Sequence, residues 1–178
     1  MGIATGKIEE GIARLQAVPG RFQQIDEGQP FLVVVDYAHT DDALKNVLKT
    51  ARELARDRLI VLFGCGGERD RTKRPRMGEA AGSLADLVVL TSDNPRSEDP
   101  LLIMADALVG LQRTGTPYLA EVDRGVAVRK ALEEAREGDV VVLAGKGHET
   151  YQVLKDGKVD FDDRDVARKV LAEMGYGK

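Results

Sequence analysis

Four consecutive residues, Asp93-Asn94-Pro95-Arg96, carry the densest chemistry in this sequence. Asp93 and Asn94 offer acceptors, and Asn94 also a donor. Pro95 fixes the backbone and withholds its own N–H. Arg96 presents a planar fork that meets a carboxylate at two points. The run follows Leu87-Val88-Val89-Leu90, an apolar stretch that reads as a buried strand. Open α/β sheets bind ligands at the carboxyl ends of such strands. A turn with an exposed arginine fits the same four residues equally well, because Asn-Pro is a common turn signal.

Three further loops follow apolar runs. Asp36-Tyr37-Ala38-His39 comes after Phe31 to Val35, where Asp36 can meet a metal, a ribose or a phosphate-linked water. His39 is one of two histidines, and a lone histidine in such a loop is more often structural. Gly64-Cys65-Gly66-Gly67-Glu68-Arg69-Asp70-Arg71 comes after Leu59 to Phe63. Arg69 stands where a dinucleotide fingerprint needs its third glycine, so that fingerprint fails. Two arginines on a glycine-rich loop suit a carboxylate or phosphate instead. Cys65 has no base beside it in sequence and reads as structural. Gly145-Lys146-Gly147-His148-Glu149 comes after Val140 to Ala144. Its glycines allow close backbone approach to a ligand, and Glu149 can hold an ammonium group. Together the loops put arginines and carboxylates on one edge of one sheet, as a zwitterion such as an amino acid requires. Gly2 to Ile8 imitates a phosphate loop, but it has three residues between its glycines instead of four, and Ile8 replaces the hydroxyl residue. No other stretch does better.

The elements that must position these loops alternate in type. Helical apolar spacing follows each run: Ala43 to Leu54 with Thr40 or Asp41 as cap, a helix with Pro75 in its first turn, one opened by Asp99-Pro100, one capped by Asp123, and one from Asp163 to Met174. Tyr118 to Val122 adds a strand, and Lys155-Asp156-Gly157-Lys158 reads as a hairpin turn. The expected fold is α/β: a doubly wound, mostly parallel, Rossmann-like sheet with an antiparallel edge at the hairpin. Ile8, Ile12 and Leu15 predict a short amphipathic helix before Pro19-Gly20, either the tail of a preceding domain or a packing helix of this one.

Composition narrows the classes. The 178 residues suit one domain, with room for a fragment of a second. A net charge of −4 with interleaved signs gives no basic face for nucleic acid, and 4% aromatics with no tryptophan gives no stacking platform. No apolar run is long enough for a membrane span, and no charged-then-apolar leader for export is present. A single cysteine fits a reducing, cytosolic setting.

Gly20-Arg21, Val35 to Thr40, Phe63 to Gly67, Asp93 to Arg96 and Gly145 to Glu149, in this order, resemble the C-terminal domain of the Mur ligases. The resemblance runs from about Pro19 to the end, and its most specific block is Asp93 to Arg96. That block resembles the branch that adds meso-diaminopimelate to UDP-N-acetylmuramoyl-L-alanyl-D-glutamate (UDP-MurNAc-L-Ala-D-Glu) in peptidoglycan synthesis. The resemblance implies that residues 1–20 are the tail of a central ATP-binding domain and its hinge, and residues 21–178 the amino-acid-binding domain. It implies an ATP- and magnesium-dependent ligase in which ATP phosphorylates the glutamate carboxylate and the diaminopimelate amine attacks the acyl phosphate. It further implies that Asp93, Asn94, Pro95 and Arg96 hold the distal end of diaminopimelate, with Arg96 on its carboxylate. Arg69 would take another carboxylate of the same ligand, and Gly145 and Glu149 would complete the site, Glu149 on the ammonium. Arg21, Asp36 and His39 would approach the nucleotide. The family's phosphate loop, modified lysine and sugar site lie in other domains, so this chain alone is expected to be inactive, with no catalytic residue or metal ligand of its own. A cytoplasmic bacterial monomer is expected. Asp41 replaces the proline common in relatives, at a helix start that tolerates either. Two alternatives stay open: a stand-alone amino-acid or nucleotide-binding module, and a domain of another amino-acid ligase of the superfamily.

Overall fold

The structure, a computed structural model, describes residues 18–177. The helix expected around Ile8, Ile12 and Leu15 and the imitation phosphate loop lie outside the described residues. The strands are β1 (Gln23–Ile25), β2 (Leu32–Asp36), β3 (Leu59–Cys65), β4 (Leu87–Ser92), β5 (Tyr118–Glu121), β6 (Val140–Ala144), β7 (Tyr151–Leu154) and β8 (Gly157–Asp160). The helices are α1 (Asp41–Leu54), α2 (Lys73–Leu84), α3 (Pro100–Leu111), α4 (Arg124–Glu133) and α5 (Asp163–Glu173). A 3-10 turn, Gln112–Thr114, extends α3.

The main sheet has the order β1-β2-β6-β3-β4-β5, and β2 to β5 within it are all parallel. Its central strands are buried on both faces, which is why they read as continuous apolar runs. Along β3, Leu59, Val61 and Phe63 face one core with α1, α2 and α3, while Ile60 and Leu62 face the other with α4 and α5. In α1, buried Leu44, Val47, Leu48 and Ala51 form a single stripe. Thr40, Asp99 and Asp123 each accept a hydrogen bond from an amide of the first turn they cap.

The doubly wound α/β expectation holds, with its antiparallel pieces distributed differently. The hairpin β7–β8 is a sheet of its own and does not extend the main one. The antiparallel edge is β1, which pairs with β2 through Gln23–Val35, Gln24–Val34 and Ile25–Val33. The hairpin stays apart because β8 is exposed throughout and offers no apolar face, while β7 turns its polar groups onto the Asp93 loop.

Candidate functional site

All four loops emerge from the carboxyl ends of β2, β3, β4 and β6. They surround a cavity of about 510 Å³ whose lining includes His39, Arg69, Asp93, Asn94, Arg96, Gly145 and Glu149. That volume suits a small molecule. Pro95, Asp36 and Arg21 are not part of the lining.

The floor of the cavity rests on a lysine. Lys146 is fully buried, and its Nζ lies 3.2 Å from Asn94 Oδ1, 3.2 Å from Glu149 Oε2 and 3.4 Å from Asp93 Oδ1. Asn94 Nδ2 donates to Glu149 Oε2 at 3.0 Å, so the two loops are joined directly. The hairpin closes the arrangement: Val153 N donates to Asn94 Oδ1 at 2.9 Å and Arg96 N to Val153 O at 3.0 Å. The Gln152 side chain donates to the Asp93 carbonyl. Every polar atom of the Asn94 amide therefore has a partner before any ligand arrives.

Arg96 is half-buried with φ of 54°, a left-handed conformation that costs a residue other than glycine roughly 1–2 kcal/mol. Its Nη1 donates to Gly67 O at 2.7 Å and Asn94 O at 3.3 Å. The rest of its fork has no protein partner among the described residues, which leaves donors for a carboxylate in the cavity. Arg69 is exposed on the rim and likewise without a protein partner among the described residues.

The glycine-rich loop is pinned from below by Arg74, in α2. Its side chain is 2% exposed, with Nη2 2.9 Å from both Glu98 carboxylate oxygens and Nη1 3.0 Å from Asp106. Burial alone would lower the Arg74 pKa, but the two carboxylates outweigh it and the net shift is upward. The same contact, led by the Arg74 hydrogen bond, holds the Glu98 carboxyl below its ordinary value. Glu98 also accepts from the amide of Glu68, and Arg74 Nη2 reaches Gly66 O at 3.4 Å. Several loops touch backbone to backbone. A Cβ on Gly67 would fall 1.9 Å from Pro95 O, on Gly64 2.6 Å from Thr91 O, and on Gly20 2.1 Å from the amide of His148.

A second corner gathers the softer candidates. The Tyr37 ring lies 4.6 Å from that of His39 and 5.1 Å from that of His148, with the Arg21 guanidinium 5.1 Å above it. Asp36 accepts from Phe22 N at 2.7 Å and Ala38 N at 2.8 Å, so its carboxylate shapes this corner.

Three important side chains carried no signal that could be read locally. Arg74 is one, and Arg124 with Asp163 is the pair beneath the site. Arg124 and Asp163 are fully buried and joined by two hydrogen bonds of 2.7 and 2.8 Å. Arg124 also donates to Ala144 O at 2.9 Å and Ser92 O at 3.4 Å, the last carbonyls of β6 and β4. It thereby spans β3 and ties together the strands that launch the Asp93 and Gly145 loops. Cys65 is buried with its Sγ 3.8 Å from Met77 Sδ, in keeping with a structural role.

A family model described as "Mur ligase, glutamate ligase domain" matches residues 20–147. The UDP-N-acetylmuramoyl-L-alanyl-D-glutamate--2,6-diaminopimelate ligase of Solibacter usitatus is 66% identical over 175 residues, covering 98% of this chain and 35% of the relative. The ligase of the same name from Syntrophomonas wolfei is 54% identical, covering 96% of this chain and 35% of the relative. A solved structure of a ligase with that name superposes with a TM-score of 0.84 at 44% identity, over 94% of this chain and 34% of that one. The chain spans about a third of the length of the curated relatives it matches.

Proposed function

The chain belongs to the Mur ligase family, through its glutamate ligase domain, and from that premise we propose that it is the amino-acid-binding domain of an ATP-dependent ligase that adds meso-diaminopimelate to UDP-MurNAc-L-Ala-D-Glu. The observation that carries this reading is the cavity itself: donors of Arg96 and Arg69 that have no protein partner among the described residues face a site whose other side holds the Glu149 carboxylate. Cationic forks on one wall and a carboxylate on another match a ligand that bears both charges at its distal end. Arg96 would take the distal carboxylate, Arg69 a second carboxylate, and Glu149 the ammonium, with Asp93, Asn94, Pro95 and Gly145 shaping the pocket.

The chain's contribution is orientation of the amine donor. Lysine lacks the distal carboxylate, so the Arg96 donors would stay unpaired, a type of mismatch that can reach about 10⁴ in discrimination. Among the described residues no group of three or more His, Cys, Asp or Glu side chains is placed to hold a metal ion. In this reading ATP and magnesium are held mainly by another domain of the ligase. Arg21 and His39 would approach the nucleotide held elsewhere in the ligase, with Asp36 keeping their corner in shape. In this reading residues 1–20 are the tail and hinge of the central domain, and the ligase works as a monomer in the bacterial cytoplasm. No described helix is long and apolar enough to cross a membrane.

Steady-state kinetics of the intact ligase test the reading. Arg96→Ala is expected to raise the KM for meso-diaminopimelate about thirtyfold or more, the worth of a two-point charged contact, and to leave the KM for ATP within about twofold. Equal changes in both would remove Arg96 from the carboxylate.

A further inference from the structure

Lys146 belongs to none of the roles assigned above. It does not line the cavity, and its ammonium has no exposed surface with which to touch a ligand. Yet each of its three acceptors, Asp93, Asn94 and Glu149, belongs to the proposed diaminopimelate site. Two carboxylates within 3.4 Å of one ammonium leave the cluster with a single formal negative charge. A distal ammonium in the cavity meets that residual charge. Without Lys146 that cluster would carry two negative charges opposite the Arg96 and Arg69 forks, which would favour a bare cation and weaken the hold on a carboxylate.

We propose that Lys146 is a specificity-determining residue that sets the net charge of the amino-acid pocket, so that a zwitterionic distal end is preferred to a cationic one. This rests on the diaminopimelate reading given above and deepens it. The buried ammonium holds Asp93 and Glu149 from behind, and its charge reaches the ligand through the protein, where it is weakly screened. Its Asn94 contact also fixes the amide orientation, because Oδ1 receives both Lys146 and the amide of Val153 while Nδ2 faces Glu149. A purely structural lysine would affect all ligands alike. A charge-setting lysine changes their ranking.

The test is an NMR titration of the full chain with meso-diaminopimelate and, separately, L-lysine, for the wild type and for Lys146→Met, Lys146→Arg and Asp93→Asn. The quantity read is the ratio of the lysine Kd to the diaminopimelate Kd. A unit charge a few ångströms from the ligand is expected to move that ratio by about tenfold. Lys146→Met should lower it, Lys146→Arg should leave it within about twofold, and Asp93→Asn, which removes a negative charge, should raise it. If Lys146→Met does not fold, the opposite shift expected of Asp93→Asn decides the matter. Equal loss for both ligands in Lys146→Met, or an unchanged ratio in Asp93→Asn, overturns the inference and leaves the diaminopimelate reading standing. A wild type that binds lysine as well as diaminopimelate overturns that reading, and the charge-setting role falls with it.

Discussion

Cys65 shows how position decides the behaviour of a single group. Burial, with the field of Asp93 adding to it, pushes its thiol up to about 12. The nucleophile is the thiolate, so at pH 8 native Cys65 should react with a disulfide reagent on the order of a thousandfold more slowly than in the denatured chain. Labelling followed with and without urea checks this, and equal rates would contradict it. The sequence already marked Cys65 as structural, because no base stood beside it. The sequence also put Arg69, Asp93, Asn94, Arg96, Gly145 and Glu149 in loops that follow apolar runs, and the structure brings all six to the lining of one cavity. Arg74, Arg124 and Lys146 were not legible as buried groups. An arginine or lysine in a sequence looks like solvated surface, and the carboxylates that pair with Arg74 and Arg124 lie 24 to 39 residues away.

At the scale of elements, the Arg124–Asp163 pair joins α4 to α5 and holds the ends of β4 and β6. Removing one partner leaves the other charged and buried. Arg124→Met is therefore expected to cost about 3–5 kcal/mol in urea unfolding, and Arg124→Met with Asp163→Leu to recover most of that. A double variant as unstable as the single one would show that the strand-end carbonyls, not the charge, matter most. The elements themselves were legible where one local rule dominates. Strands buried on both faces announce themselves as apolar runs, and Thr40, Asp99 and Asp123 cap as their side chains predict. Strand β1 escaped notice because Gln23–Ile25 is short and mostly polar, and is a strand only through its pairing with β2. The hairpin turn was visible in Asp156-Gly157, but where the hairpin docks depends on contacts to Asp93 and Asn94 that no local pattern encodes.

Over the whole molecule, acid stability follows from several carboxyls held below their ordinary values. For Asp139 burial alone would raise the value, but the side chain and amide of Arg58 and the amide of Arg136 outweigh it. Asp162 behaves likewise, with Arg164 prevailing over burial. Hydrogen bonds from Lys130 and Arg129 lower Glu121 and Glu173. A group whose folded pKa is depressed contributes stability that is complete above its unfolded value and is lost as pH falls through the folded one. The urea midpoint should therefore be flat above about pH 5 and fall steeply below about pH 4. Asp139→Asn should lower the unfolding free energy on the plateau by about 2 kcal/mol and make the acid limb shallower. An unchanged slope in that variant would remove Asp139 from the account. The glycines that let these loops touch have a genetic consequence. At Gly20, Gly64 and Gly67 the nearest neighbour is another stretch of main chain, which cannot rotate aside for a side chain. A library of all single substitutions would score these positions as severely as Arg96. A map of mutational tolerance would thus outline a site larger than the one any ligand touches.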